Sequence, residues 1–207
     1  MKRFAKIAAC LCLGVCLFCG CAAREESPPE TNEERQSIDP ATLSDYLAPV
    51  TYRGRTVTMK SESASRGEAV WQSILSDAQV LAYPEEQVSY YETQLRAEVR
   101  YLAEREDMSY EDMLTLRGLS EEKITEEARR LVKSDLVLLY IVTDGGIALT
   151  EADKTAHFDR YAQKYAEDYG YERAYAEEHL RDEIYESMLF DKTMEYLILH
   201  NSFTVGG

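Results

Sequence analysis

Chemistry in this chain would have to come from three histidines, five cysteines or 38 acidic residues, and their spacing excludes most of it. His157, His179 and His200 are far apart, and none has a companion at the spacing metal ligands use, so no metal is expected. The cysteines, Cys10, Cys12, Cys16, Cys19 and Cys21, all sit at the front of the chain. The remainder therefore has no disulfide, no thiolate ligand and no cysteine nucleophile. The carboxylates are spread along polar faces, where solvation is their ordinary role. No acidic pair lies in an apolar run that would tune it for acid–base work. Asp135 is the one carboxyl in an apolar stretch, and a buried Lys, Arg or Tyr partner is expected for it rather than catalysis. Asp144-Gly145-Gly146 lacks the residues that flank a phosphate loop, and there is no nucleophile elbow. The expectation is no catalytic residue, no metal and no cofactor.

The thiol of Cys21 is the exception. Lys2, Arg3 and Lys6 form a positive start, and Ile7 to Phe18 is apolar, the layout of an export signal. The run is too short to span a bilayer comfortably. It ends in Phe18-Cys19-Gly20-Cys21, which resembles a lipobox, although Leu and Ala or Ser are commoner where Phe18 and Cys19 stand. That resemblance implies cleavage after residue 20 and a diacylglyceryl thioether on Cys21. The alternative is an ordinary secretory leader cut near Ala22 or Ala23. Each buried methylene contributes about 0.8 kcal/mol, so several acyl chains would hold the protein on a membrane, at its extracytoplasmic face.

Charge narrows the partners. The formal net charge is −15, and without the three basic residues of the leader the rest is more acidic still. Such a surface repels nucleic acid, and any long-range attraction favours basic partners. Residues 21–44 are rich in acids and contain Pro28, Pro29 and Pro40, which predicts an extended, disordered tether.

The rest must supply the elements. In residues 45–66 apolar and polar residues alternate around Val50, Tyr52, Val57 and Met59, with Gly54 interrupting, which predicts a short strand or loose hairpin. From 67 to 205 the spacing is helical. Over residues 67–81, Val70, Trp71, Ile74, Leu75, Ala78 and Leu81 make one stripe, with Trp71 a core or interface anchor. Tyr83-Pro84 starts a long helix running to about Arg105 on Val88, Tyr91, Leu95, Val99 and Leu102. Ser109 caps a short helix with Met113, Leu114 and Leu116, closed by Gly118. Ser120 caps the next, whose run from Leu136 to Val142 is apolar on every side and ends at Asp144-Gly145-Gly146. Thr150 and Asp153 form a capping box for a helix bearing Phe158, Tyr161, Tyr165 and Tyr169, ended by Gly170. A last helix spans residues 172–200, and Phe203-Thr204-Val205 is a short extended end. The fold class is mainly α, with about six helices and extended pieces at both ends.

Fifteen tyrosines and six methionines supply adaptable apolar surface. In order along the chain, several segments carry a resemblance. They are Val80-Leu-Ala-Tyr-Pro84-Glu85, Tyr90-Tyr91 with Leu95, Met108 to Leu114, Leu119 to Ile124, Ala128 to Val142, Gly146-Ile147 with Leu149-Thr150-Glu151, and Asn201 to Val205. Together, over about two thirds of the chain, they resemble the C-terminal domain of trigger factor, a bacterial chaperone. The resemblance implies a helical body with long helices and arm-like protrusions that cradle unfolded or newly exported polypeptides without ATP. Tyr91, Tyr101, Met113, Tyr161, Tyr165 and Met188 are the candidate contacts for such chains. The family's ribosome-docking and prolyl isomerase domains have no counterpart here, so neither ribosome binding nor isomerase activity is expected. Two rival readings stand beside this one: a peptidyl-prolyl isomerase, and an adaptor lipoprotein that binds one folded partner.

Overall fold

The computed structural model describes residues 37–169 and 172–206. The leader, Cys21, most of the acidic stretch and Gly170 lie outside the described residues. The protein is mainly helical, as its spacing predicts. Its elements are a 3-10 helix Pro40–Asp45, β1 Thr56–Met59, α1 Arg66–Asp77, α2 Glu85–Arg105, α3 Tyr110–Leu116, α4 Glu121–Gly145, α5 Glu151–Tyr169, α6 Arg173–His179, α7 Arg181–Leu199 and β2 Ser202–Val205.

The centre is α4. Leu131, Val132 and every residue from Ser134 to Leu138 are buried, as are Ile141 and Val142. A helix apolar all round must be surrounded, and this one is. The first half of α2, α1 and α7 pack around it, with Trp71 edge-on to Phe190 at 5.6 Å. The expected last helix is two: Leu180 leaves helical geometry at φ −110° and ψ 22°. No Gly or Pro marks that break. Leu180 is itself buried against Ala162, Ala176 and Ile184, and this packing overrides local propensity.

The N-terminal segment differs most from expectation. Val50, Tyr52, Val57 and Met59 do point inward, but only residues 56–59 form a strand. Residues 45–66 share the main core rather than standing apart, and so does the end of the stretch expected as tether. Asp39 caps the 3-10 helix by accepting from the Ala41 N–H (2.9 Å), and Leu43 is buried in the same core. The tether boundary at 44 is corrected accordingly, because an apolar Leu43 beside Leu47 gains by burial.

The partner of β1 is at the other end of the chain. β1 and β2 pair in parallel, with Thr56 opposite Ser202 and Met59 opposite Val205. Asn201 secures the join. Its amide donates to the carbonyls of Tyr52 (3.0 Å) and Leu197 (2.7 Å), and its oxygen accepts from the Arg55 N–H (2.8 Å). Arg55 in turn donates to the Thr51 carbonyl (2.8 Å) and the Ser73 hydroxyl (2.9 Å), and it pairs with Asp77.

Candidate functional site

Two smaller apolar clusters stand apart from the main core, and each builds an arm. In the first, the second half of α2 turns through α3 into the start of α4. It buries Val99, Leu102, Ala103, Met113, Leu114 and Ile124. Both turns are Schellman closures, in which the two amides beyond a helix bond back to its last carbonyls. Asp107 (φ 51°) closes α2 with Met108 N–H to Ala103 (2.8 Å), and Gly118 (φ 64°) closes α3 with Leu119 N–H to Leu114 (2.8 Å). Glu121 holds the arm's outer side, accepting from the Tyr110 hydroxyl (2.7 Å) and from Arg96 (2.8 Å). Arg96 also reaches Glu92 (3.1 Å), which accepts from Thr125 (2.6 Å). The Tyr110 hydroxyl bond, followed by Arg96, holds the Glu121 carboxyl below its usual range.

The second arm is α5, α6 and the start of α7, packed around Ala162, Ala176, Leu180, Ile184 and Met188. The Thr150 capping box forms as expected. Asp153 accepts from the Thr150 N–H (2.7 Å), and its own N–H donates to the Thr150 hydroxyl (3.1 Å). Lys192 donates to the same carboxylate (2.6 Å) and to the Ala148 carbonyl (2.9 Å), fixing the base of the arm to α7. Lys192 first, then Thr150, hold the Asp153 carboxyl far below the ordinary range.

The six candidate contacts fall in different places. Tyr91, Met113 and Met188 are core side chains, at 3%, 0% and 4% exposure, so none of them offers an open surface. The reason is geometric. Each lies on the stripe that faces a neighbouring helix, and Tyr91 also spends its hydroxyl on Asp135 at 2.7 Å. Of the Lys, Arg or Tyr partner expected for Asp135, the structure supplies a tyrosine. Tyr101 is half-buried beside the first arm's cluster. Tyr161 is half-buried at the second, with its hydroxyl donating to Asp191 (2.5 Å). The Tyr165 side chain lies outside what is described.

The open apolar side chains are others. Among the described residues, Met108 precedes α3 and Leu116 ends it on the first arm, at 36% and 64% exposure, Tyr175 lies on α6 of the second arm, and Leu81, Leu199 and Val205 are open away from the arms, at 54%, 81% and 45%. A helical wheel identifies Leu116. Residues 113 and 114 define the inward face of α3, position 117 lies near its centre, and position 116 falls well to one side. A groove of about 550 Å³ lies elsewhere. It is lined largely by polar groups, among them Asp39, Thr42, Tyr46, Tyr83, Glu85 and Glu86, where the N-terminal segment meets the start of α2. Among the described residues no group of His, Cys, Asp or Glu has the geometry to hold a metal ion, and no helix is long and apolar enough to cross a membrane. The arrangement offers shape and apolar contact on two arms.

Residues 59–198 match the family model of the bacterial trigger factor protein (TF) C-terminus. No curated protein and no solved structure matched the chain.

Proposed function

The chain belongs to the family of the bacterial trigger factor C-terminus, whose domain is chaperone-like, and from that premise we propose a lipid-anchored chaperone-like protein that binds unfolded or newly exported polypeptides without ATP. The observation that carries this is the pair of separately packed arms on one body, with Met108, Leu116 and Tyr175 open at their surfaces. Scattered apolar contacts on two supports suit chains with no fixed shape, because each contact is weak and the set is adaptable. The anchor is Cys21, and the location is the extracytoplasmic face of a cell membrane. The leader pattern supports both. The reading includes no catalysis.

The full chain should suppress aggregation of two unrelated unfolded proteins at several-fold excess, and Met108→Ser with Leu116→Ser should weaken that suppression while leaving the helical signal intact. No suppression by the full chain would sink the reading. A proline-peptide isomerisation assay should give the blank rate. One further reading, an adaptor for a single folded partner, is favoured by the burial of Tyr91, Met113 and Met188. It predicts one stoichiometric partner and no preference for unfolded chains.

A further inference from the structure

The outer edge of β2 is a row of backbone groups with nothing paired to it among the described residues. Ser202 N–H donates to the Arg55 carbonyl (2.8 Å), and Gly206 N–H donates to the Met59 carbonyl (3.0 Å). In a parallel pair the residues of one strand alternate in direction, so Ser202, Thr204 and Gly206 turn their amides to β1. The N–H and C=O groups of Phe203 and Val205 therefore face away from it. Ser202, Thr204 and Val205 are exposed and Phe203 is half-buried, with the Arg66 guanidinium over its ring at 5.5 Å. A two-stranded sheet with four pairs is short for independent stability, and a third strand would complete it.

Exposed edges are normally blunted by charges, prolines or bulges. This edge has none of these. From Asn201 to Gly207 the sequence is Asn-Ser-Phe-Thr-Val-Gly-Gly, with no charged residue and no proline. What pairs with such an edge is set by chemistry: an extended backbone that offers its own alternating N–H and C=O groups. Charge then chooses between occupants. A second copy of the chain would bring −15 against −15, which opposes association. A segment with basic side chains is attracted by the same field.

We propose that the outer edge of β2, at Phe203 and Val205, binds an extended basic polypeptide segment as a third strand. The site is separate from the arm surfaces and does not require them to bind unfolded chains. It is tested with the full chain and a labelled peptide alternating valine and lysine, followed by anisotropy and by amide hydrogen exchange. The expected result is slowed exchange at Phe203 and Val205 on adding the peptide. Val205→Pro, which removes one outward N–H and leaves the β1-facing amides in place, weakens binding about tenfold, the order of one lost backbone hydrogen bond. Val205→Thr keeps the amide and keeps the binding. The same peptide with glutamate in place of lysine binds more weakly, and added salt narrows the difference. Binding by Val205→Pro at wild-type strength overturns the proposal, as does protection confined to the arms. A dimer of the free chain that Val205→Pro dissolves also overturns it, since the edge would then belong to a second copy. Exchange at Phe203 and Val205 reports the edge, and aggregation suppression reports the arms, so failure at the edge and failure at the arms are read separately.

Discussion

Tyr91 and Tyr161 make the same bond in different surroundings. Each donates its hydroxyl to a carboxylate on another helix, Asp135 in the core and Asp191 at the surface. Tyr52 to Asp144 (2.5 Å) and Tyr110 to Glu121 (2.7 Å) repeat the device. In a chain rich in both residue types, tyrosine is used less as open apolar surface than as a staple whose ring packs and whose hydroxyl ties a carboxylate. Removing the donor at the buried site takes one hydrogen bond from the Asp135 carboxyl. Tyr91→Phe should cost about 1–3 kcal/mol in urea unfolding, and Tyr161→Phe under about 0.5 kcal/mol. The same bonds set a response to alkali. Burial first, then the adjacent carboxylate, push Tyr52, Tyr110 and Tyr161 up to about 12 from the ordinary 10.0. The folded chain thus keeps protons that the unfolded chain releases. Their contribution is full below pH 10 and is lost as pH rises toward 12. The share of tyrosinate absorbance that belongs to these three should rise late and together with loss of helical signal. Loss of helical signal without a late step in absorbance would contradict the staples. At this scale the sequence was half legible. Spacing placed Tyr91 on an inward stripe and gave Asp135 a tyrosine among its expected partners, but nothing local showed that Met113 and Met188 would be closed off by other elements.

Helix ends were the most legible elements. Ser109 and Ser120 each cap a helix by accepting an amide at N3, as a serine before an acidic first turn predicts, and Ser65 does the same for α1 without having been singled out by its spacing. Gly146 (φ 61°) closes α4 with Ile147 N–H to the Val142 carbonyl (3.0 Å). The turn at Asp107 does the same work without glycine and carries the strain of a left-handed L-residue. Asp107→Gly should therefore stabilise the protein by about 0.5–1 kcal/mol, and Gly146→Ala should destabilise it by about 1 kcal/mol, both read from thermal midpoints. The opposite sign at either position would mean that the turn relaxes on substitution. The break at Leu180 was not legible. The residues around it favour a continuous helix, and only the fit of Leu180 against Ala162 and Ile184 turns the chain there. Helical spacing also tied α2 to one role, whereas its first half joins the body through Tyr91 and its second half builds an arm through Val99 and Leu102.

At the scale of the molecule, segments near the two ends of the described residues are fastened together. Arg55 and Asn201, 146 residues apart, share a hydrogen bond, and β1 closes on β2 beside it. Alternation in the N-terminal segment and Phe203-Thr204-Val205 at the end were each visible in the sequence as extended pieces. Their pairing was not, because strand register between distant segments leaves no local mark. Asn201→Ala removes three hydrogen bonds at the join. It should cost about 2–3 kcal/mol and speed unfolding, measured by stopped-flow; a change under about 0.5 kcal/mol would make the join incidental. The parallel pairing has a further consequence in time. Closing so long a loop is slow, and a chain that emerges from its N-terminus has β1 waiting, unpaired, until the last strand arrives. Until α4, α7 and β2 have all followed, Val57, Tyr52 and the α1 stripe lack the elements that cover them, and the nascent protein displays the same bare apolar surface that it is proposed to shelter in others. Its own birth would pass through the state of a client, ending only when β2 pairs with β1.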